Sequence, residues 1–387
     1  MSSFYCAAPW RGLHITPSGI VKTCCAGDAS MGGNLNQSTI QEVLDSDVMR
    51  EIRRSIGQGQ AHPYCNVCVV NAKFGADGER RWHNSFNPNF DYAAAGDHYH
   101  YPVLMDVRWN NTCNLSCNYC DEQNSSKWSA LKGIPFKSGT RPYYQQVQDF
   151  LEQHREHINQ VALVGGEPLL LAENQSLLEV IPESAMVNVI TNLSMDLSKN
   201  KVFQLLAKRS KVSWSISFEN VGERFEYVRY GGKWPLFQKN LNEIKSLLAQ
   251  GHWGGIHAVY NIYSATRIRE LRDFADDQGM RVVWQKLVWP DCLDPLRHGP
   301  AVTEPAMREI EAFYSTDRVT PAERIFFDNA MADYGTPVET GSEMARKLVR
   351  RHIEPIENRY HADRRGDFCR LWPEYQGIFE VCHGQSN

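Results

Sequence analysis

The stretch Cys113-Asn-Leu-Ser-Cys117-Asn-Tyr-Cys120 sets three thiols at spacings of four and three residues within a polar, turn-prone segment. Three close thiolates can hold three irons of a cubic iron–sulfur cluster and leave the fourth iron without a protein ligand. A structural zinc site or an electron-transfer cluster requires four protein ligands. The triad therefore indicates a metal centre with one position open to a small chelating ligand. A zinc knuckle that lacks one ligand is the alternative.

The length, charge and cysteine content of the chain limit the classes of protein it can belong to. Its 387 residues can bury a large core and should form two or three structural units. A net charge of -4 with mixed signs gives no basic surface and disfavours nucleic acid as a partner. No apolar run could span a bilayer and the N-terminus lacks a signal-peptide pattern, so we expect a cytoplasmic protein with no membrane partner. In that reducing compartment, the 11 Cys indicate metal ligands or redox groups rather than disulfides.

The first hundred residues carry a second cysteine pattern. Segments 14–16 and 20–22 alternate around a Pro-Ser-Gly turn, which predicts a β-hairpin that brings Cys6 and Cys24 together. The sequence Cys65-Asn-Val-Cys68 follows later. Four thiols make a complete four-ligand site, which on chemistry alone fits either zinc or an iron–sulfur cluster.

From residue 102 the chain alternates between strand and helix patterns, which predicts a parallel sheet. The predicted strands are 102–109, 159–165, 185–191, 211–218, 255–263 and 281–288. The predicted helices are 39–56, 143–157, 172–181, 197–208, 233–249, 266–278, 304–314, 321–334 and 342–357. Six such strands predict a partial TIM-like barrel, in which ligands bind at the C-terminal ends of the strands.

The predicted fold class is α/β. It consists of a partial (β/α)6 TIM-like barrel, a small N-terminal Cys-rich cluster domain that contains the hairpin, and a helical C-terminal extension. The predicted boundaries place the cluster domain at 1–83, a linker at 84–101, the barrel at 102–290 and the extension at 291–387. The extension, with its aromatic segment 367–373, is expected to cap the active site.

Polar motifs lie at the ends of the predicted strands in the same order as in radical S-adenosylmethionine (SAM) enzymes, which the chain resembles. The cysteine loop with an aromatic residue before its last Cys is similar to that family's signature, and Gly165-Gly166-Glu167-Pro168 resembles its GGEP motif. The resemblance implies that the amino and carboxylate groups of SAM occupy the open iron. It also implies a set of cofactor-binding residues, namely Tyr119, Gly165, Gly166, Glu167, Thr191, Asn192, Ser215, Ser217, Arg229, Asn261 and Leu287.

The resemblance assigns a role to several of these residues. The GGEP segment would accept hydrogen bonds from the SAM ammonium, Ser217 would bond the ribose or methionine part, and Arg229 would pair with the SAM carboxylate. Asn261 and Leu287 lie on strands that would border the adenine and the substrate. Three positions depart from the family pattern, with Leu193 and Asn220 in place of Gly and Glu219 in place of Asp.

The N-terminal pattern resembles the auxiliary-cluster module called SPASM, or Twitch in its shortened one-cluster form. The chain has Cys6, twelve residues, Gly19, four residues and Cys24, and later the pair Cys65 and Cys68. The resemblance implies one auxiliary 4Fe-4S cluster held by these four Cys, in addition to the SAM-binding cluster of Cys113, Cys117 and Cys120. In the family the module usually follows the radical SAM domain, whereas here it precedes it. The side chain of Cys25, adjacent to Cys24, is expected to point elsewhere.

Three further thiols, those of Cys292, Cys369 and Cys382, lie in the C-terminal part of the chain. A free Cys is most often a small core residue. A thiol near a carbon radical can also donate a hydrogen atom, and we select Cys369 first and Cys292 second as candidate donors.

The function that the resemblance implies is reductive cleavage of SAM to a 5′-deoxyadenosyl radical, which abstracts a hydrogen atom from a substrate. The first candidate substrate is a ribosomally made peptide that is oxidised or epimerised, and the second is a small metabolite such as a sugar or aminocyclitol. A non-catalytic iron–sulfur or zinc scaffold is the third hypothesis. A flavodoxin- or ferredoxin-like protein is the expected electron donor.

Overall fold

The computed structural model describes residues 4–73, 78–135, 141–287, 289–332 and 341–378. Nine strands form a single open sheet in the order β3-β2-β1-β4-β5-β6-β7-β8-β9. The strands are β1 Gly12–Ile15, β2 Ile20–Lys22, β3 Gly33–Asn34, β4 Leu104–Val107, β5 Gln160–Leu163, β6 Met186–Thr191, β7 Val212–Ser217, β8 Trp253–Tyr260 and β9 Val282–Lys286. Within the described ranges, no helix has the length and apolar character needed to cross a membrane.

Helices precede, connect and follow the strands. They are α1 Ala8–Arg11, α2 Ile40–Leu44, α3 Asp47–Gly57, α4 Asn66–Lys73, α5 Gly78–Ser85, α6 Ser126–Lys132, α7 Arg141–His154, α8 Ala172–Val180, α9 Lys201–Lys208, α10 Gly222–Val228, α11 Trp234–Ala249, α12 Ile268–Asp277, α13 Pro300–Tyr314, α14 Pro321–Ala332, α15 Gly341–Arg346 and α16 Asp367–Leu371. Two π-helical segments, Lys347–Ile353 and Ile356–Tyr360, continue from α15.

The six predicted barrel strands are confirmed as β4 to β9, with ends that differ by a few residues. The single helix predicted over 39–56 is wrong, because two helices occupy this range. The side chain of Thr39 accepts a hydrogen bond from the backbone of Glu42 and begins α2, and the side chain of Ser46 accepts one from Met49 and begins α3. Such N-caps satisfy backbone donors at a helix start, so two of them in close succession divide the range.

The N-terminal hairpin belongs to the same sheet as the barrel strands, which the sequence did not predict. Strands β1 and β2 pair antiparallel, as expected, with His14 opposite Lys22. Strand β1 also pairs in parallel with β4, with Gly12 opposite Leu104 and Ile15 opposite Val107. The cluster domain predicted for 1–83 is therefore joined to the barrel by backbone hydrogen bonds, and not only through a linker.

The segment predicted as a linker, 84–101, packs against the N-terminal unit. The indole Nε1 of Trp10 donates a hydrogen bond to the carbonyl of Gly96 at 2.9 Å. The ring of Trp10 lies 5.3 Å from that of Phe90, and the hydroxyl of Tyr99 donates to the carbonyl of Gly12 at 3.2 Å. These contacts order the segment although it has little regular structure of its own.

The two faces of the sheet differ in chemistry. Apolar residues at alternate positions, such as Met105, Val161 and Val189, are fully buried in the main hydrophobic core. The opposite side is called the inner face here. Its strand register aligns Lys22, His14, Asp106, Ala162, Asn188 and Ser213 in one row. Because side chains alternate along a strand, this row is distinct from the core and mostly polar.

The C-terminal helices form a second apolar cluster with residues that follow β7 and β8. The buried members include Tyr227, Tyr263, Phe368 and Trp372. The indole Nε1 of Trp372 donates a hydrogen bond to the carbonyl of Tyr263 at 2.9 Å. This cluster attaches the C-terminal part of the chain to the strand-end side of the barrel.

Strand β1 should tolerate no side chain at its first residue. A Cβ atom at Gly12 would lie 2.1 Å from the backbone oxygen of Thr23, whereas a Cβ at Gly78 would meet no atom within 4 Å. We expect Gly12→Ala to destabilise the protein by about 1–3 kcal/mol, because overpacking against backbone cannot relax. Gly78→Ala is the matched control and should be neutral. Thermal unfolding and amide hydrogen exchange in β1 and β2 measure the effect, and equal behaviour of the two variants would contradict this packing.

Candidate functional site

The cysteine loop, residues 113–120, lies beyond the C-terminal end of β4 and is held by the start of α6. The backbone N–H of Cys113 donates to Ser126 Oγ at 3.0 Å, and this hydroxyl donates to the Cys113 carbonyl at 3.2 Å. The indole Nε1 of Trp128 and the backbone N–H of Cys120 both donate to the Cys117 carbonyl at 2.9 Å. These bonds keep the three thiols in one compact turn.

Cys117 is buried and Cys113 and Cys120 are partly buried, and the three thiols are close enough to influence one another. Burial and the neighbouring Cys117 raise the pKa of Cys113 to about 12. Burial raises the pKa of Cys117 to about 11, although the guanidinium of Arg229 acts in the opposite direction. Burial and the other two thiols hold the pKa of Cys120 far above its usual range. A metal deprotonates the thiols that coordinate it, so the loop is suited to bind metal rather than to remain a set of free thiolates.

The glycine pair at the end of β5 packs against the backbone that leads into the cysteine loop. A Cβ on Gly166 would lie 2.2 Å from the carbonyl oxygen of Thr112, and Gly165 has a φ of 127°. The backbone N–H of Glu167 donates to that same Thr112 carbonyl at 2.8 Å. Only glycine allows the two backbones to approach this closely, so the motif positions the residue before Cys113.

The carboxylate of Glu167 is completely buried and braces the ends of β5 and β6. It accepts hydrogen bonds from the backbone N–H of Leu169 at 3.2 Å, the hydroxyl of Thr191 at 2.8 Å and the backbone N–H of Asn192 at 2.8 Å. Burial raises the pKa of Glu167 to about 7, although these three hydrogen-bond donors lower it. Since the protein already uses the carboxylate, the carbonyls of the preceding glycines are the better candidates to receive a SAM ammonium.

The turn after β6 contacts the cysteine loop directly. The side-chain Nδ2 of Asn192 donates to Asn114 Oδ1 at 2.9 Å and lies 3.9 Å from the sulfur of Cys113. Leu193, which stands where the family pattern has Gly, has a φ of 51° and is fully buried. The chain therefore keeps the left-handed backbone that Gly usually supplies, with an apolar side chain packed in the core.

Arg229 lies next to the cysteine loop, but it is paired within the protein. Its Nε and Nη2 donate to the two carboxylate oxygens of Glu219 at 3.1 and 2.7 Å. The hydroxyl of Tyr119 donates to the same carboxylate at 2.7 Å, and Nη1 of Arg229 lies 4.0 Å from the sulfur of Cys117. A SAM carboxylate would have to share Arg229 with Glu219. The pairing of Arg229 with the SAM carboxylate stays a prediction.

The remaining predicted SAM contacts lie on different strands of the sheet. Ser215 and Ser217 are half-buried on the inner face of β7, where the hydroxyl of Ser215 lies 3.5 Å from Asn188 Oδ1. Asn261 is completely buried after β8, and its Nδ2 has no partner among the described residues. Leu287 packs against the C-terminal apolar cluster. The structure thus brings the β7 serines to the inner face, whereas Leu287 contacts the C-terminal helices.

The four N-terminal thiols of the predicted auxiliary site line one cavity. Cys6, Cys24, Cys65 and Cys68 surround it together with Tyr64. Burial raises the pKa of Cys6 and of Cys65 to about 12, with a further contribution from the neighbouring thiols. Cys6, Cys24 and Cys68 are buried and Cys65 is partly buried. Four sulfur donors around one space make a complete ligand shell for an iron–sulfur cluster, and on donor chemistry alone the same set fits zinc.

Cys25 lies beside this cavity and contacts Glu79. The thiol of Cys25 donates a hydrogen bond to Glu79 Oε2 at 3.2 Å. Sulfur atoms of Cys24 and Cys25 and a carboxylate oxygen of Glu79 lie within 4.8 Å of one another, which forms a second possible donor set. The four-thiol cavity is the stronger candidate because it offers a full shell of soft ligands, whereas the second set offers three donors.

The two thiol sites lie at opposite ends of the strands. Strands β1 and β4 run in parallel, so the residues that precede β1 lie at the N-terminal edge of the sheet. Cys6 precedes β1, and Cys24 follows β2, which runs back to that edge. The cysteine loop follows β4 at the C-terminal edge. The inner face of the sheet therefore extends between the two sites.

Comparison with protein-family models matches both units. The radical SAM superfamily model matches residues 107–274, and the model of an iron–sulfur cluster-binding domain, SPASM, matches residues 6–69. This chain contains a radical SAM domain and a SPASM domain. Its SPASM domain stands at the N-terminal side of the radical SAM domain, as the cysteine spacing indicated.

The solved structures that match this chain share little sequence with it. Streptococcus suis SuiB bound to S-adenosylmethionine is 16% identical, with 78% of this chain and 68% of SuiB covered and a TM-score of 0.42. SuiB bound to precursor peptide SuiA is 14% identical, with 79% and 69% covered and a TM-score of 0.40. Native anSMEcpe with bound AdoMet and Kp18Cys peptide is 14% identical, with 64% and 66% covered and a TM-score of 0.41. No curated protein sequence matches the chain.

The cofactors of a radical SAM domain joined to a SPASM domain are SAM and 4Fe-4S clusters, one of which binds SAM. The residues present fit these groups. The cysteine loop offers three thiols near Arg229, and the N-terminal cavity offers four. Cys113, Cys117 and Cys120 are the candidate ligands of the SAM-binding cluster, and the four N-terminal Cys are those of the auxiliary cluster.

The candidate hydrogen-atom donors lie in the C-terminal apolar cluster. Cys292 is buried there, and burial raises the pKa of its thiol to about 12. Cys369 packs against the same cluster and is half-buried. Cys382 lies outside the described residues. The cluster surrounds both thiols with apolar side chains such as Tyr263 and Phe368, so their positions fit packing as well as chemistry.

Sequence reasoning missed a group of residues that supports the cysteine loop from the C-terminal side. The ring of His361 stacks on Tyr230 at 3.6 Å, and its Nε2 lies 3.5 Å from Ser116 Oγ. The hydroxyl of Tyr227 donates to the buried carboxylate of Glu357 at 2.9 Å. No local motif marks these residues, because they meet only after the C-terminal segment returns to the barrel.

The left-handed backbone at position 193 predicts that a Gly variant is more stable than an Ala variant, whereas the Ala variant is ordinarily the more stable. We expect Leu193→Ala and Leu193→Gly both to destabilise the protein through loss of buried surface. Leu193→Gly should be the more stable of the two by about 1 kcal/mol, because glycine adopts positive φ without steric cost. Thermal unfolding of the two variants measures the difference. A Gly variant that is less stable than the Ala variant would contradict the assigned backbone.

Burial of Glu167 predicts a pH-dependent stability. The folded chain keeps this proton up to a pKa of about 7, whereas the ordinary value is 4.5. The unfolded chain therefore loses the proton first, and stability falls as pH rises through this interval. We expect the stability of wild type relative to Glu167→Gln to fall by about 2 kcal/mol between about pH 5.5 and pH 7.5. Unfolding curves of both proteins across this pH range test the prediction. A stability difference that stays constant with pH would refute it.

Proposed function

We propose that this protein is a radical SAM enzyme that modifies a ribosomally made peptide. When SAM and the cluster of the cysteine loop are bound, the site supplies a carbon-centred radical that removes a hydrogen atom from the substrate. The observation that carries the proposal is a compact loop of three thiols, one buried and two partly buried, which would leave one iron of a cubic cluster open to SAM.

The residues around the loop hold it and limit its access to water. Ser126 and Trp128 fix the thiols through the loop backbone, and the glycine pair at Gly165 and Gly166 supports the chain that enters the loop. His361 covers the loop at Ser116. Burial of this kind strengthens electrostatic interactions and protects a reactive species from solvent. We propose that the C-terminal extension, 291–387, caps the active site in this way.

The inner face of the sheet supports a peptide as the substrate. It is lined by hydrogen-bonding side chains, including Asn188, Ser213, Ser217 and His257, and the sheet stays open between β3 and β9. A polar surface of this kind can pair with the repeated amides of a peptide. A small sugar or aminocyclitol could use the same side chains, and it is the second candidate.

The auxiliary site favours net oxidation over epimerisation. Four thiols form a complete donor set at the N-terminal edge of the sheet, where a bound cluster could accept an electron from the substrate. The candidate hydrogen-atom donors, Cys292 and Cys369, lie in the C-terminal apolar cluster. Epimerisation requires one of these thiols, or another, to reach the substrate carbon.

An enzyme of this class needs a reducing partner. We propose a small flavodoxin- or ferredoxin-like protein as the electron donor and a peptide as the substrate partner. The cysteine content agrees with work in a reducing cytoplasm, where thiols stay available as ligands.

Single Cys variants test the two cluster assignments. Anaerobically reconstituted wild type should hold about eight irons and form 5′-deoxyadenosine with dithionite. Cys113→Ala should abolish 5′-deoxyadenosine, whereas Cys65→Ala should lose about four irons and retain part of the cleavage. Cys25→Ala is the matched control and should resemble wild type. Cleavage of SAM by the Cys113 variant would refute the assignment, and a wild type that forms no 5′-deoxyadenosine would indicate a non-catalytic scaffold.

The mass of the product peptide distinguishes net oxidation from epimerisation. A candidate peptide incubated with enzyme and SAM in deuterated water should lose about 2 Da if it is dehydrogenated or cross-linked. Epimerisation should instead add about 1 Da, because the donor thiol carries exchanged deuterium. An unchanged peptide alongside a modified sugar or aminocyclitol would favour the second candidate substrate.

A further inference from the structure

A polar cavity lies between the N-terminal hairpin and the barrel, next to the GGEP segment. Its walls include Thr16 and Ser18 from the turn between β1 and β2, and Arg108 and Asn111 from the chain after β4. Gly165 and Gly166 complete it. The two units of the chain therefore meet at this cavity, which shares the glycine pair with the candidate SAM site.

Arg108 presents a cationic edge at the cavity. Its Nε and Nη2 donate to the two carboxylate oxygens of Asp106 at 3.1 and 2.9 Å, which fixes the guanidinium plane. Over the described residues, Nη1 has no hydrogen-bond partner assigned to it, and 27% of the side chain is exposed. A fixed guanidinium with a free edge is suited to bind a carboxylate or carbonyl oxygen.

Asn111 also lines this cavity, and its side chain has an unsatisfied acceptor. The residue is fully buried, and its Nδ2 donates to the carbonyl of Glu122 at 2.8 Å and to Ser129 Oγ at 3.2 Å. These two bonds determine the orientation of the amide. The opposite atom, Oδ1, is buried and has no partner in the described part of the chain. Buried polar atoms are almost always paired, so this oxygen indicates a missing hydrogen-bond donor.

The hairpin module positions this cationic edge. Nδ1 of His14 on β1 lies 3.0 Å from Oδ2 of Asp106, the carboxylate that also orients Arg108. The parallel pairing of β1 with β4 places His14 directly opposite Asp106. The auxiliary module therefore contributes to the cavity both through its turn and through the support of Arg108.

We propose that this cavity binds one backbone unit of the peptide substrate, with an oxygen on Nη1 of Arg108 and an N–H on Oδ1 of Asn111. The proposal rests on the proposed function, since it names the substrate group held beside the SAM site. A peptide backbone supplies one acceptor and one donor, which are the two partners that the cavity lacks. The adjoining hydroxyls of Thr16 and Ser18 lie 3.0 Å apart and can serve the neighbouring peptide unit.

Two small probes test the cavity without knowledge of the natural substrate. N-acetylglycine carries a carboxylate and an amide N–H, and N-acetylsarcosine carries an N-methyl group in place of that N–H. Binding to the anaerobically reconstituted full chain is measured by ligand-observed NMR. We expect N-acetylglycine to bind several-fold more tightly than N-acetylsarcosine. Equal affinities, or no binding of either probe to wild type, would overturn the proposal without any variant.

Variants at Arg108 test the cationic edge. Arg108→Gln should weaken binding of N-acetylglycine about tenfold, and Arg108→Lys should weaken it several-fold while it keeps the charge beside Asp106. Arg308→Gln is the control, because Arg308 is 65% exposed on α13 and pairs only with Glu304 among the described contacts. Iron content and thermal unfolding verify that each variant is folded. Unchanged binding in both Arg108 variants would overturn the assignment.

A final measurement separates the substrate subsite from the SAM site. N-acetylglycine should bind wild type with the same affinity in the absence and in the presence of saturating SAM. Competition between the two ligands would mean that the probe occupies the cofactor site, and the cavity would then not be a substrate subsite. Failure of the proposed function would appear differently, as an absence of 5′-deoxyadenosine from wild type while the probes still bind.

Discussion

The parallel pairing of β1 with β4 is the constraint on which the arrangement of the two cluster units depends. These backbone hydrogen bonds join the N-terminal hairpin to the first barrel strand in one register. Since side chains alternate along strands, that register also decides which hairpin residues face inward. A slip of one residue would turn His14 outward and place Leu13 opposite Asp106, a buried carboxylate. The burial of polar and apolar side chains therefore specifies the pairing strongly.

This pairing gives a physical meaning to the unusual domain order. A module that precedes the barrel adds to its first strand, and its turn then reaches the C-terminal edge of the sheet while its thiols lie at the opposite edge. One small hairpin thus contributes its turn to one end of the inner face and its thiols to the other. The auxiliary thiols and the candidate substrate cavity are connected by a single rigid element, which limits their relative movement.

Buried ion pairs fix the side chains nearest to the proposed chemistry. Arg229 with Glu219, and Arg108 with Asp106, are both bidentate and both lie close to candidate ligand positions. Burial alone would raise the pKa of Asp106, but His14 and Arg108 hold it well below its usual range. Loss of one partner from such a pair typically costs about 3–5 kcal/mol, because the other charge stays buried and unpaired. In each pair the Nη1 group is left as the donor most available to a ligand.

The sequence alone predicted the two cysteine sites and the barrel. Cysteine spacing, the GGEP segment and the alternation of strand and helix patterns are local signals, and they predicted the cluster loop, the auxiliary thiols and β4 to β9. The tertiary structure decided the features that depend on long-range contact. Strand β1 pairs with β4, Glu219 forms an ion pair with Arg229, and His361 covers the cysteine loop at Ser116. The tertiary structure also placed Arg108 and Asn111 at one cavity with the hairpin turn. Hydrogen bonds and burial between residues far apart in sequence leave no mark in local spacing, so only the folded chain shows them.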